Sequence, residues 1–400
     1  MQNERNSGLL KYIWLFIGSI ALCIGVAATD MEPVPQEVVQ EQPPQTTGEE
    51  IVYSEQLEDI EKEIYEKLLK AVQSGQVSCT LENIDFDTYS QKVNRPVLAL
   101  ISDYPEYFWF NKGYEVEGKS GPAKNDDTMK ITMKCFQFWS DSYDQGKYMN
   151  EVQQEAKRIA DEANKQSDLF HKVKYVHDYL VTHVEYDTTA YEAYQSGTQA
   201  PEDEYIFGVY GSLINKKAVC EGYAEAFHLV MKYMGIGCNI VTGSAGEPHE
   251  WNVLDLEGEK YFMDVTWDDL DYRDDQGNEK YPNDADYDYF CITEQELVKT
   301  HIIDESVFKV VDCTATKYNY YIYNKYLLDT YSVDSVVDVM TKQKDNKILS
   351  VQFKSSGEMQ KAVDDLITAG NWKKISAVSK QDTVQYSADE DHLVITFYVE

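Results

Sequence analysis

"KKAVCEGYAEAF", residues 216–227, sets a cysteine where a turn gives way to a helix. After Cys220, the residues Tyr223, Phe227, Val230, Met231 and Met234 recur at helical spacing, and Gly235 follows as a stop signal. The spacing predicts a helix over 220–234 with Cys220 at its start. Unpaired N–H groups and the positive dipole end at such a position favour a thiolate over a thiol. A helix-start cysteine is also a common packing residue. The choice depends on whether the chain supplies a base and an orienting acceptor.

The chain holds seven histidines, and one of them stands out by context. His249 opens a segment in which Trp251 to Leu256 and Tyr261 to Val265 read as a hairpin around Glu257-Gly258-Glu259. The return strand carries an acid, Asp264, between Met263 and Val265. With a two-residue loop, Asp264 falls opposite Trp251 or Val253 and shares a face with His249, because side chains alternate along strands. If the loop is Glu257-Gly258, the two are diagonal neighbours within reach of a hydrogen bond. A three-residue loop would put them on opposite faces. Asn239 to Thr242 reads as a further strand.

A net charge of −34 over 400 residues excludes a basic nucleic-acid-binding face and charge-driven docking on an anionic membrane. Tyr12 to Ala28 is uncharged and mostly apolar, flanked by Arg5 and Lys11 before and Asp30 and Glu32 after. Its length of ~26 Å approaches a bilayer core, so residues 1–29 are expected to be an anchor with the rest of the chain outside the cell. Signal cleavage near Val26-Ala27-Ala28, or lipidation at Cys23, are the alternatives. Residues 30–50, with Pro33, Pro35, Pro43 and Pro44 among Gln and Glu, read as a disordered linker.

Helical patterns follow through Leu57–Val72, Val152–Ala163 and Leu169–Leu180, and Met129–Trp139 alternates like a strand. "YDYFCIT" (287–293) and Tyr318 to Tyr323 read as strand-like, and a helix is expected around Glu294 to His301. Residues 313–400 read as a separate α+β module with helices at Val333–Thr341 and Met359–Leu366. Seven cysteines without a CxxC pair exclude a zinc ribbon or thioredoxin motif, and disulfides are not expected to be the main support. No metal-ligand or cofactor pattern emerges. The acidic loop 268–288 lacks calcium-loop spacing and reads first as solvated, with a weak calcium site as the alternative.

Three separated segments, "KAVCEGYAEAF", "HEWNVLDLEGEKYFMDVTWDD" and "YDYFCITEQEL", together resemble the transglutaminase-like superfamily. The type they are most similar to is the bacterial extracytoplasmic form related to cytokinesis and kyphoscoliosis peptidase-like proteins. The likeness extends over roughly residues 90–310, including "SDYPEYFWF" and "VHDYLVTHVEYD". It implies an α+β, papain-like core in residues 51–312, a cysteine-bearing helix packed on an antiparallel sheet bearing the histidine and aspartate. It also implies a Cys-His-Asp triad carried over onto Cys220, His249 and Asp264. Glu250 stands where many relatives have alanine. The implied chemistry is acyl transfer or hydrolysis at amide bonds of proteins or cell-wall peptides, with no cofactor. Tyr210 is a candidate oxyanion donor, and Trp251, like Trp267, reads first as core packing with substrate stacking as the alternative. A non-catalytic surface scaffold on the same fold is the competing expectation.

Overall fold

The structure, a computed structural model, describes residues 51–119, 126–141, 144–269, 285–376, 378–380 and 383–399. The expected anchor (1–29), the linker (30–50) and most of the acidic loop, with the calcium reading attached to it, lie outside the described residues. Among the described residues, no helix is long and apolar enough to cross a membrane.

The first described helix, α1 (Asp59–Gln73), opens on a capping box between Glu58 and Glu61 and buries Ile64, Leu68 and Val72. β1 (Ser78–Ile84), α2 (Asn94–Asp103), β2 (Phe110–Lys119) and β3 (Asp127–Cys135) follow. The three strands form an antiparallel sheet in the order β1-β3-β2. Next come α3 (Gln145–Ala163), α4 (Leu169–His183), β4 (Glu185–Tyr186), α5 (Thr188–Gln195) and β5 (Lys217–Ala218).

At the centre lies α6 (Cys220–Met234), buried on every side from Gly222 to Met231 and closed by Gly235 at φ 70°. It packs on α3 and α4 and on the antiparallel sheet of β6 (Gly237–Ser244), β7 (Pro248–Leu256), β8 (Glu259–Met263) and β9 (Ile302–Ile303). That sheet has the order β8-β7-β6-β9. A mixed core of a central helix laid on an antiparallel sheet is the expected α+β class.

Beyond it, β10 (Leu327–Leu328), α7 (Val333–Lys342), β11 (Ile348–Phe353), α8 (Ser356–Ala362), β12 (Gln385–Asp389) and β13 (Val394–Tyr398) build a second four-stranded sheet, ordered β10-β11-β13-β12. Two expectations fail. "YDYFCIT" forms turns with a single bridge, Phe262 to Ile292, because Cys291 adopts φ 53° and breaks the extended run. The tyrosine run is a short helix, Tyr320–Asn324, whose start is capped by the Asn319 side chain accepting from the Tyr321 and Ile322 N–H groups. Tyr318, Tyr320 and Tyr321 are all buried, so no two-residue period marked the segment as strand or helix.

Candidate active site

Cys220 is the first residue of α6, half-buried, after an extended Val219. The helix start is drawn close to the preceding loop because residue 222 is glycine. A Cβ there would lie 2.8 Å from the Ala218 Cβ and 3.0 Å from the carbonyls of Ile206 and Gly208. β7 is tied to the same helix by Asn252, whose amide donates to the Ala224 carbonyl at 2.9 Å. These contacts fix the helix that carries the thiol against the strand that carries His249.

The β7–β8 hairpin turns on Glu257-Gly258, pairing Leu256 with Glu259 and Asn252 with Met263. Asp264 continues that strand on the His249 face, and His249 Nε2 lies 2.6 Å from Asp264 Oδ2. Cys220 is the second group whose charge acts on the imidazole. Burial alone would make His249 harder to protonate. The Asp264 charge, with the Cys220 charge and the Asp264 hydrogen bond, outweighs it and carries the imidazole pKa up to about 10. Asp264 is driven the other way. Burial would raise its pKa, but His249 and further donors hold it well below the usual carboxylate range. Its second oxygen, Oδ1, accepts the Thr266 and Trp267 N–H groups at 3.0 and 3.1 Å.

A second histidine reaches the same carboxylate. His301 Nε2 is 3.0 Å from Asp264 Oδ2, and its Nδ1 is 2.8 Å from the Thr300 hydroxyl. Burial keeps His301 neutral, lowering its pKa. The network therefore assigns it an Nε2–H that donates to Asp264 and an Nδ1 that accepts from Thr300. Its approach depends on Gly243, where a Cβ would come within 2.1 Å of the Ile302 carbonyl. The Asp264 turn is itself anchored from below, because Asp268 accepts from His177 of α4 at 3.0 Å and from the Tyr289 N–H at 2.9 Å. His301, His177 and Asp268 went unassigned in the sequence reading. The "DVTWDD" run, with a second acid four residues after the first, was the one signal available for the anchor.

The two auxiliary candidates, Tyr210 and Trp251, both sit in packed surroundings. The Tyr210 hydroxyl donates to Glu151 at 3.3 Å, and its ring sits among Phe108, Trp139 and Tyr148. The π-turn Gly211–Asn215 that follows separates it from Cys220. Among the tyrosines, burial and then the Cys220 charge raise the hydroxyl pKa of Tyr186, and Tyr191 is carried to about 12 by burial with the Glu247 and Cys220 charges. Trp251 is 1% exposed and stacks behind His249 with ring centres 5.9 Å apart, so it supports the imidazole from the core and has no face for substrate. The described cysteines are all free thiols. Among the described residues, two groups have donor atoms close enough to hold a metal ion: His249, Asp264 and His301, whose two imidazoles already share the Asp264 carboxylate, and Asp288, Asp389 and His392.

A helix that begins on a half-buried cysteine is laid on a sheet that presents a histidine and an aspartate in contact, an α+β arrangement. Residues 156–285 of the chain match the family model of the transglutaminase-like superfamily. Among solved structures it is similar to a TGase at 16% identity, covering 40% of this chain and 46% of that one, TM-score 0.28. It is also similar to a candidate cysteine protease from Cytophaga hutchinsonii at 14% identity, covering 38% and 62%, TM-score 0.23. A candidate protease from Parabacteroides distasonis shares 8% identity over 38% of this chain and 36% of that one, TM-score 0.22. The chain thus spans about half the length of these structures or less, apart from the Cytophaga protein. No curated protein matches it.

Proposed function

We propose that the protein is a cysteine enzyme that transfers or hydrolyses acyl groups at amide bonds, with Cys220 as nucleophile, His249 as acid and base, and Asp264 as its orienting partner. The observation that carries the reading is a buried His249 in contact with the Asp264 carboxylate, its pKa raised further by a cysteine at a helix start. A proton affinity of about 10 favours an imidazolium at neutral pH, the state a thiolate nucleophile needs beside it. In the first step the Cys220 sulfur forms a bond to the amide carbonyl carbon. The tetrahedral oxyanion collapses, the C–N bond breaks, and His249 gives its proton to the departing amine. The resulting thioester is then attacked by water or by an amine, whose proton returns to His249. The Cys220 backbone N–H, at the helix start, is the proposed oxyanion donor.

Proteins or cell-wall peptides are the proposed substrates. The apolar segment 12–28 is the proposed tether to a membrane with the enzyme outside. Protease protection on intact cells tests this placement, and a protected domain would contradict it. For the chemistry, the chain and its Cys220→Ala variant are incubated with a glutamine-containing protein and a labelled primary amine. Label incorporation that vanishes in the variant identifies an amine acceptor, and new peptide termini identify water. Equal behaviour of the two proteins would refute the enzyme reading.

A further inference from the structure

We infer that Lys112, reaching in from the N-terminal sheet, is a positioning residue that clamps the cysteine helix to the histidine strand; the inference rests on the function proposed above. Its ammonium lies 2.7 Å from Glu221 Oε1 and also pairs with Glu250. Glu221 directly follows Cys220 at the start of α6, and Glu250 directly follows His249 on β7. One cation therefore bridges the two backbones that carry the thiol and the imidazole.

The route by which Lys112 arrives is built into β2. Between the pairs Phe110–Cys135 and Tyr114–Met133, the residues Asn111, Lys112 and Gly113 stand opposite Lys134 alone. Such a bulge re-aims a side chain out of the ladder. Lys112 takes φ 65°, a left-handed conformation uncommon for a residue with a Cβ. The Asn111 side chain holds the bulge, accepting from the Gly113 N–H at 3.0 Å and donating to the Cys135 carbonyl at 3.2 Å. A strained backbone held by its own hydrogen bonds, with its side chain sent to a charged pair beside the thiol, fits a positioning role better than a surface ion pair.

Electrostatics gives the clamp a second effect. Burial pushes Glu221 up to about 7 against the pull of Lys112, and the Glu250 charge adds to the rise. Glu225, one turn further along α6, is pushed well above its ordinary value by burial and by Glu221, with Lys112 again opposing. The ionisable groups linked to this site are Glu225 from α6, which feels Glu221, Glu250 and Lys112, then Asp264 at the imidazole with His301 on the same carboxylate, and Tyr186 and Tyr191, which feel Cys220 and Glu247. Without Lys112, Glu221 and Glu250 would lose the cation that bridges them, Glu221 would rise further towards its protonated form, and the helix start would lose its tie to the strand.

The test compares Lys112→Met with Lys112→Arg and with the triple variant that adds Glu221→Gln and Glu250→Gln. Cys220 alkylation by iodoacetamide at pH 7 needs no substrate and is read by peptide mass. Lys112→Met is expected to react at least tenfold more slowly and to need a more alkaline solution to recover. On an amide substrate its kcat falls by a similar factor while KM stays within about twofold. Lys112→Arg restores most of the rate, and the triple variant regains part of it because no buried carboxylate is left without its cation. If Lys112→Met keeps the wild-type alkylation profile, even with a lowered melting temperature, the residue is structural and the inference is overturned. Equal loss in Lys112→Arg and Lys112→Met overturns it as well. A wild-type Cys220 that reacts like an ordinary thiol would instead remove the proposed function, and the clamp with it.

Discussion

His249 determines what the site can do. Its pKa is raised above that of a free imidazole by Asp264 and Cys220 against the effect of burial. A raised basic group stabilises the fold fully below its unfolded value near ~6.5, and that stabilisation is lost as pH rises through the folded value of about 10. Loss of the imidazolium should therefore put the alkaline limb of kcat/KM near pH 10, and an NMR titration of the His249 ring should show the same midpoint. A limb near pH 6.5 would mean that the ring does not feel Asp264. His301 acts through the aspartate. His301→Ala removes one of two imidazoles on Asp264 Oδ2 and should lower kcat about tenfold. His301→Gln, which keeps an N–H donor, should recover part of that loss. If both variants behave alike, the hydrogen bond has no role in holding Asp264.

Among elements, the hairpin was readable because strands alternate with period two. Once the loop was Glu257-Gly258, His249 and Asp264 had to share a face. The limits of α6 were readable for a similar reason, since a continuous apolar stripe ends on a left-handed glycine. His301 was not readable. It meets Asp264 only because Gly243 lets β9 close on β6, a contact between residues some sixty positions apart that no local pattern announces. Tyr210 misled because closeness to Cys220 in sequence says nothing about direction across an intervening π-turn. Gly222→Ala tests the tight approach of α6. Its Cβ would press on two backbone carbonyls, and a loss of ~1–3 kcal/mol is expected in urea unfolding. His177→Ala leaves the buried Asp268 without its imidazole partner and with the Tyr289 N–H, and ~3–5 kcal/mol of destabilisation is expected by the same measurement.

Over the whole molecule, the residues after 313 are joined to the core by more than a linker. Tyr323 stacks on Phe170 with ring centres 3.7 Å apart, and Tyr320 stacks on Tyr287 at 3.8 Å. Tyr321 donates to Asp288, and His392 packs edge-on against Tyr289, whose ring in turn packs on His301. A chain ended at residue 312 would uncover these aromatic faces. It should melt well below the full chain in a calorimeter, whereas an unchanged melting temperature would make the last segment a passive attachment. The central claim concerns one thiol among several. Burial raises Cys79 to about 11 and Cys135 to about 12, and pushes Cys238, Cys291 and Cys313 above their ordinary values. The most direct test is iodoacetamide labelling of the folded chain between pH 6 and 9, mapped by peptide mass, beside a His249→Ala variant. The account predicts that Cys220 labels far ahead of these five thiols at pH 6–7 and loses that lead when His249 is removed. Labelling of Cys220 only above pH ~8.5, unchanged in the variant, would contradict it.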